Sequence, residues 1–393
     1  MTGCAGVRYR RCLTPWRDAA RPLSSRASEA SLSSRASEAS LSSRASEASR
    51  GICTWTAAIA LTTAVACGAK EAPPRKSGAA DLVGAGATFP YPLYRAWFAE
   101  FERREGVRIN YFAVGSSEGI RLLERSEADF AATDKPSIAR AAAGRARCGR
   151  VVIPMVRGPL VIGYHLPPSP DSATALRLDV ATLADIFSGR VKRWNDPRIR
   201  ALNPGRPLPS VPIVVVHRAD GSGTSRAFSD FLSTSGRWTV SQAGDTSEVQ
   251  WPVGIPAEGN AGVALEVKVR IGAIGYMELS YARQNHLAVA AIRGREGDFV
   301  LPGAGDAPYP ATAVTWLVLD PARLSPERAE KFVEFVRWAQ REGSPQAREL
   351  EYGQPAPDSI AYYDSLLGRI PFESCAATRS DSTARALSQA PAR

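Results

Sequence analysis

The sequence predicts an α/β fold with helices on both faces of its sheets. Short β-branched or aliphatic runs at 151–155, 160–164 and 211–216 alternate with segments whose apolar residues recur at helical spacing, as at 93–101 and 329–340. This alternation of strand and helix patterns is typical of α/β proteins. The chain has 393 residues, of which 44% are hydrophobic and 22% charged, so it is long enough for two domains.

Three loops share one design, in which glycine and hydroxyl residues join a strand to a helix start. Residues 84–90 precede an amphipathic helix that ends at Gly106, residues 115–117 follow an alternating strand, and residues 217–228 follow the run at 211–216. The first turn of a helix carries unpaired N–H groups and a partial positive charge, which favour an anion. A fourth segment, 129–134, has the pattern of a buried strand that ends in a carboxylate.

The loop at 217–228 has the most groups that could contact an anion. Gly221 and Gly223 allow close approach of the backbone, Ser222 and Thr224 add hydroxyl donors, and Arg218 adds a cation with a planar donor fork.

Alternatives to an anion site remain open for this loop. A lone motif of this kind is also compatible with a strand-to-helix turn that binds nothing. It is not a nucleotide P-loop, because no Gly-Lys-Ser/Thr follows. A triad of Ser222, His217 and Asp220 is disfavoured, because triad members normally meet from distant segments.

Further motifs in a fixed order identify a family. They include Leu183–Trp194, which we expect to be a helix, Trp251–Gly254 and Gly272–Glu278, in addition to the loops above. From about Leu82 to Ile370 the chain resembles the PstS family, the phosphate-binding components of bacterial phosphate ABC importers. This resemblance implies a two-lobe periplasmic-binding-protein type II fold, in which each lobe is a mixed sheet flanked by helices and two hinge crossings join the lobes.

The resemblance also implies which residues bind phosphate. The implied contacts are Thr88, Phe89 through its backbone N–H, Ser116, Asp134, Arg218, Ser222, Gly223 and Thr224. Asp220 is implied to orient Arg218, and Ser117 and Gly221 to support the site. Without the resemblance, Asp134 would more often be a helix N-cap or surface carboxylate, and Arg218 a surface salt-bridge partner of Asp220. Glu118 departs from the small residue of many relatives, and we expect it to point to solvent.

Two lobes are implied, at 81–155 plus 315–373 and at 156–314, with crossings near 157–159 and 311–319. Phosphate bound between them would stabilise the closed state. Asp134 can only accept hydrogen bonds when ionised, so it should favour an anion that keeps a proton over sulfate.

The implied function is capture of inorganic phosphate outside the cytoplasm for an ABC permease with a cytoplasmic ATPase. We expect a monomer that needs no cofactor, no metal and no nucleic acid, and that is not an enzyme. A binding protein or sensor for another oxyanion is the alternative. A phosphatase on the same scaffold is more remote, because hydrolysis needs a nucleophile with a base, or a metal site.

The N-terminal region predicts export. Residues 23–49 are three identical copies of a nine-residue polar sequence, and residues 52–66 are an apolar run with the length of a signal-peptide core. We therefore predict a leader and lipoprotein signal peptide at 1–66, lipidation at Cys67, a tether at 67–80 and a disordered tail at 376–393. A plain secretory signal or an uncleaved anchor remains the alternative. The predicted location is periplasmic or at the cell surface, on a lipid anchor.

Cysteine, histidine and charge patterns add three points. After removal of the leader, the only cysteines besides Cys67 are Cys148 and Cys375. These two form either one disulfide or two free thiols. The histidines are scattered singly, which disfavours a metal site. The net charge of +10 falls to about half from residue 67 onward, with no dense basic stripe, which disfavours nucleic-acid binding.

Overall fold

The computed structural model describes residues 82–135, 137, 148–167, 175–239, 249–303 and 309–377. The predicted leader, Cys67, the tether and nearly all of the predicted tail lie outside these residues, so those expectations stay predictions.

Strands and helices alternate along the described chain, as predicted. The strands are β1 (Leu82–Gly86), β2 (Ile109–Phe112), β3 (Phe130–Thr133), β4 (Val151–Tyr164), β5 (Arg177–Leu178), β6 (Val214–Arg218), β7 (Ile255–Ala257), β8 (Ala273–Glu278), β9 (Ala288–Val289), β10 (Ala291–Arg293), β11 (Phe299–Val300) and β12 (Thr312–Leu319). The helices are α1 (Tyr91–Glu105), α2 (Ser116–Glu124), α3 (Val180–Phe187), α4 (Pro197–Leu202), α5 (Gly223–Ser233), α6 (Gly259–Val269), α7 (Leu279–Gln284), α8 (Pro326–Arg341), α9 (Ser344–Glu349) and α10 (Pro357–Gly368).

One mixed sheet runs through the fold in the order β2-β1-β3-β12-β4-β8-β6-β7, with β9 paired to β4. Strand β12 is antiparallel to both β3 and β4, whereas β1 is parallel to β2 and β3, and β6 is parallel to β7 and β8. A smaller sheet has the order β11-β10-β5. Helices packed on these strands complete the predicted two-lobe α/β fold.

Strand β4 carries the chain from one set of strands to the other. Residues 151–159 pair with β12, and residues 160–164 pair with β8. The sequence predicted two strands interrupted at Arg157–Pro159, but the structure has one strand of 14 residues. Pairing of Thr312 with Pro159 and Ala313 with Gly158 keeps this stretch extended. The chain returns to the first set of strands through β12, and the lobe boundaries stay a prediction.

The predicted end of α1 is confirmed, and the predicted end of α3 is wrong. Helix α1 ends where expected, because Gly106 adopts a left-handed φ of 67° and its N–H bonds to the Glu102 carbonyl. The pattern at 183–194 predicted a helix to Trp194, but α3 ends at Phe187. Gly189 adopts a φ of 76° there, a conformation that stops the helix.

Aromatic side chains fill much of the hydrophobic core. Trp97 and Trp194 are fully buried, and Trp251 packs against Phe187 and Tyr276. Trp97 and Trp194 therefore lie in the hydrophobic core, and Trp251 packs against it.

Cys148 and Cys375 form a disulfide, with their Cα atoms 5.4 Å apart. The pairing alternative is therefore confirmed and the free-thiol alternative is wrong. A helical turn at 372–377 carries Cys375, so the tail predicted to be disordered from 376 still has helical backbone at 376 and 377. No helix within the described ranges combines the length and apolar composition that a bilayer crossing requires.

Candidate functional site

The predicted site residues come from four loops that follow strands β1, β2, β3 and β6. Their side chains are almost completely removed from solvent. The exposed fractions are 6% for Thr88, 0% for Phe89, 1% for Ser116, 8% for Ser117, 2% for Asp134, 4% for Arg218, 0% for Ser222 and 1% for Thr224. Burial of so many polar groups requires hydrogen-bond partners, and these define the geometry of the site.

Asp134 lies at the centre of this network. Its Oδ1 accepts from Thr315 Oγ1 at 2.6 Å, and its Oδ2 accepts from Thr224 Oγ1 at 3.2 Å. Its backbone N–H donates to Ser116 Oγ at 3.2 Å. Burial raises the pKa of Asp134 to about 6, although the hydrogen bond from Thr315 opposes that shift. The carboxylate is therefore a buried acceptor that titrates not far below neutral pH.

Arg218 is held by Asp220, as the resemblance implied. The guanidinium Nε donates to Asp220 Oδ1 at 2.6 Å, and Nη2 donates to Oδ2. Its Nη1 also reaches Thr224 Oγ1 at 3.4 Å. Asp220 is fixed in turn by the backbone N–H of Gly259, at 3.2 Å. This bidentate pair orients the planar donor fork toward the same hydroxyl that bonds to Asp134.

Gly223 allows a close approach of the segments that carry Asp134 and Ser116. A Cβ atom at this position would lie 2.7 Å from both Asp134 Cβ and Ser116 Oγ. The N-termini of α2 and α5, which begin at Ser116 and Gly223, therefore lie in contact. Two helix N-termini in one place concentrate N–H donors and positive dipole ends, which suits an anion. Ser222 caps α5 by accepting from Ser225 N at 3.1 Å.

Thr88 joins the site from the first loop. Its Oγ1 accepts from Asn260 twice, from the backbone N at 3.2 Å and from Nδ2 at 2.8 Å. A threonine hydroxyl has two acceptor positions and one proton, so these contacts direct the proton elsewhere. Phe89 follows directly, and its carbonyl accepts from Tyr352 at 2.8 Å.

Ser117 and Gly221 join helix α2 to the loop after β6. Both N and Oγ of Ser117 donate to the Gly221 carbonyl, at 2.9 Å and 3.0 Å. The ammonium of Lys135, which is 8% exposed, donates to Ser117 Oγ at 2.8 Å. The predicted supporting residues thus contact each other directly.

Glu118 lies away from this network, as expected. Its carboxylate bonds to Arg121 and Arg125, each at 2.8 Å, and its side chain is 36% exposed. The hydrogen bond from Arg121 lowers the pKa of Glu118.

Sequence reasoning missed Asn260, Lys135 and Thr315. Thr315 and Asn260 lie outside the motifs singled out in the sequence. Lys135 directly follows Asp134, so its position beside a predicted contact was the one available signal.

The site's chemistry is that of hydroxyl, N–H and guanidinium donors around one buried carboxylate. The His217 ring donates from Nδ1 to the Arg218 carbonyl and stacks on Trp251, and it makes no hydrogen bond to Asp134 or to the Arg218 side chain. Among the described residues, no group of three or more His, Cys, Asp or Glu side chains could hold a metal ion.

Comparisons with known proteins show the family of this chain. Residues 69–338 match the family model described as the PBP superfamily domain. The chain is 35% identical over 308 residues to the phosphate-binding protein PstS of Pasteurella multocida, covering 72% of this chain and 88% of the relative. It is 34% identical over 306 residues to PstS of Haemophilus influenzae, covering 71% and 90%.

A solved structure gives the same fold at lower identity. The phosphate ABC transporter substrate-binding protein of Clostridium perfringens, solved with bound phosphate, matches with a TM-score of 0.53 and 19% identity, covering 70% of this chain and 100% of that chain. With this architecture and these relatives, the chain belongs to the PstS family of phosphate-binding proteins, within the PBP superfamily.

Proposed function

We propose that this protein is the extracytoplasmic phosphate-binding component of a phosphate ABC importer. The observation that carries the proposal is the set of donors around Asp134, with Arg218 aligned by Asp220 and two helix N-termini in contact. Phosphate at neutral pH carries negative charge and keeps at least one proton. The donors would neutralise the charge of the phosphate, and Asp134 would accept a hydrogen bond from its protonated oxygen.

Thr88, Phe89, Ser116, Asp134, Arg218, Ser222, Gly223 and Thr224 are the proposed ligand contacts. We further propose lobes at 81–155 plus 315–373 and at 156–314, which close around the anion and present a changed surface to permease subunits. Contacts such as Thr224 to Asp134 and Ser117 to Gly221 support a clamp, because each joins residues of different proposed lobes.

Selectivity would follow from hydrogen bonding. Sulfate at neutral pH has no proton to donate, so it would place unpaired negative charge beside Asp134. Arsenate keeps a proton as phosphate does, so it should compete. A sensor for another oxyanion remains a second candidate, and Asp134 argues against sulfate as its ligand. Binding without hydrolysis is favoured over a phosphatase, because the relatives at 34–35% identity are named phosphate-binding proteins.

The test is calorimetric titration with phosphate and sulfate at neutral pH, for the wild type and for Asp134→Asn. The wild type should bind phosphate and not sulfate, and the variant should discriminate less, because an amide can donate to sulfate. Asp230→Asn, on the surface of α5 and paired with Arg226, is the matched control and should behave as wild type. A well-folded wild type that binds no phosphate would refute the proposal.

The lipid anchor and periplasmic location are also proposed, on the sequence at 52–67 alone. Metabolic labelling with a fatty acid should mark the wild type and not Cys67→Ala. If the protein is a monomer, light scattering should give the mass of one chain.

A further inference from the structure

A second pocket lies in the lobe that contains β8, at the end away from the phosphate site. It has a volume of about 380 Å³, within the range of small-molecule sites, and His165, Lys268 and His286 are among its lining residues. Helix α6 starts beside Thr88 and reaches the pocket at Lys268. The eight residues from Asn260 to Lys268 span about 12 Å of helix, which separates the pocket from the cleft.

The charged side chains among the described residues that line this pocket are basic. Lys268 and Arg206 contribute positive charges, and no Asp or Glu is among the described residues that line it. Across the described ranges, the side chains of Lys268 and His286 form neither a hydrogen bond nor an ion pair. Both side chains are exposed, so their donors are open to a ligand and favour a negatively charged one.

His165 adds a polar atom without a partner. Its Nδ1 is buried and has no hydrogen bond among the described residues. A buried polar atom without a partner is unfavourable and calls for a physical explanation. A change in ring orientation on ligand binding would give this nitrogen a partner.

His286 adopts a backbone conformation that glycine normally supplies. Its φ is 56°, and it follows α7 in a Schellman turn in which Leu287 N bonds to the Ala282 carbonyl and His286 N to the Arg283 carbonyl. A non-glycine residue in this position is strained, and such strain clusters at functional sites. Here the strained position places an imidazole in the pocket wall.

Apart from Asn285, the remaining wall is mainly apolar, with Leu166, Pro167, Pro207 and Leu287 among its residues. We propose that this pocket is a second ligand site, for a small organic anion whose carboxylate or phosphate group meets Lys268 and the two histidines. The apolar body of the ligand would pack on the prolines and leucines. This site is independent of the phosphate cleft.

The test is calorimetric titration of the full chain, with inorganic phosphate in slight excess over protein to occupy the cleft. The probes are phenyl phosphate, benzoate and uncharged benzamide, so that phosphate esters and carboxylates are distinguished. We expect at least one charged probe to bind and benzamide not to bind. Lys268→Met should weaken that binding by at least about tenfold, and the exposed Lys192→Met, outside the pocket, should not.

His286→Gly separates the ligand role from a structural one. Glycine relieves the backbone strain, so the melting temperature should rise while probe binding weakens. Inorganic phosphate affinity should be unchanged in all three variants, which keeps this test separate from that of the cleft. The proposal is wrong if no charged probe binds up to about 10 mM, if benzamide binds equally well, or if Lys268→Met binds as wild type does.

Discussion

Replacing Gly223 by alanine should abolish lobe closure without unfolding either lobe. The added methyl would lie 2.7 Å from Asp134 Cβ, and ordinary contact begins at 3.4 Å, so the N-terminus of α5 must retreat by about 0.7 Å. The same displacement lengthens the hydrogen bond from Thr224 to Asp134 from 3.2 Å to about 3.9 Å. That length is beyond hydrogen-bond distance.

The expected loss of phosphate affinity follows from the hydrogen bond that is lost. A hydrogen bond to a charged group contributes about 1.5–3 kcal/mol, so loss of this one weakens phosphate binding on the order of 10- to 10²-fold. The free energy of unfolding should change by less than about 1 kcal/mol, because alanine suits a helix. Calorimetry and urea unfolding measure the two quantities.

Gly262→Ala is the matched control, since a Cβ there would meet its neighbours at ordinary distances of 3.5–3.9 Å. It should be neutral or slightly stabilising and should bind phosphate normally. Wild-type phosphate affinity in Gly223→Ala would refute the closure argument.

Three other expectations concern stability and positioning. Burial raises the pKa of Glu278 to about 8, so the folded protein holds a proton that the unfolded chain releases above its ordinary value of 4.5. Stability should therefore decline from about pH 4.5 to 8, and Glu278→Gln should flatten the decline measured by urea unfolding; an unchanged slope would contradict this. Removing the disulfide with Cys375→Ser should cost about 2–5 kcal/mol of unfolding free energy, and reductant should no longer affect the variant. Lys135→Met should speed phosphate release by freeing Ser117, measured by stopped-flow, and Lys135→Arg should restore part of the effect; equal release rates in all three proteins would exclude the positioning role.

The alternation of elements, the loops that carry the site and the end of α1 could be predicted from sequence, because each depends on neighbours within a few residues. Helix periodicity fixed the buried face of α1, and Gly106 fixed its end. The pairing of Cys148 with Cys375 was only one of two alternatives. Choosing between them requires the Cα separation of 5.4 Å, which is a tertiary quantity.

The predictions for the end of α3 and for an interruption in β4 were wrong for related reasons. Local patterns suggested a longer helix and an interrupted strand. The left-handed backbone at Gly189 ended the helix, and cross-strand pairing with β12 kept Gly158 and Pro159 extended.

The loops that meet in the site can be recognised from the sequence, because strand endings, glycines and hydroxyl residues are encoded locally. The tertiary structure decided which further side chains complete it. Thr315 is 181 residues from Asp134 in the chain. Only the register that sets Trp316 opposite Thr133, with β12 beside β3, brings its hydroxyl to the carboxylate. Likewise, the packing of α6 against the first loop brings Asn260 to Thr88, over a separation of 172 residues. Such contacts depend on sheet order and helix packing, which are properties of the whole chain.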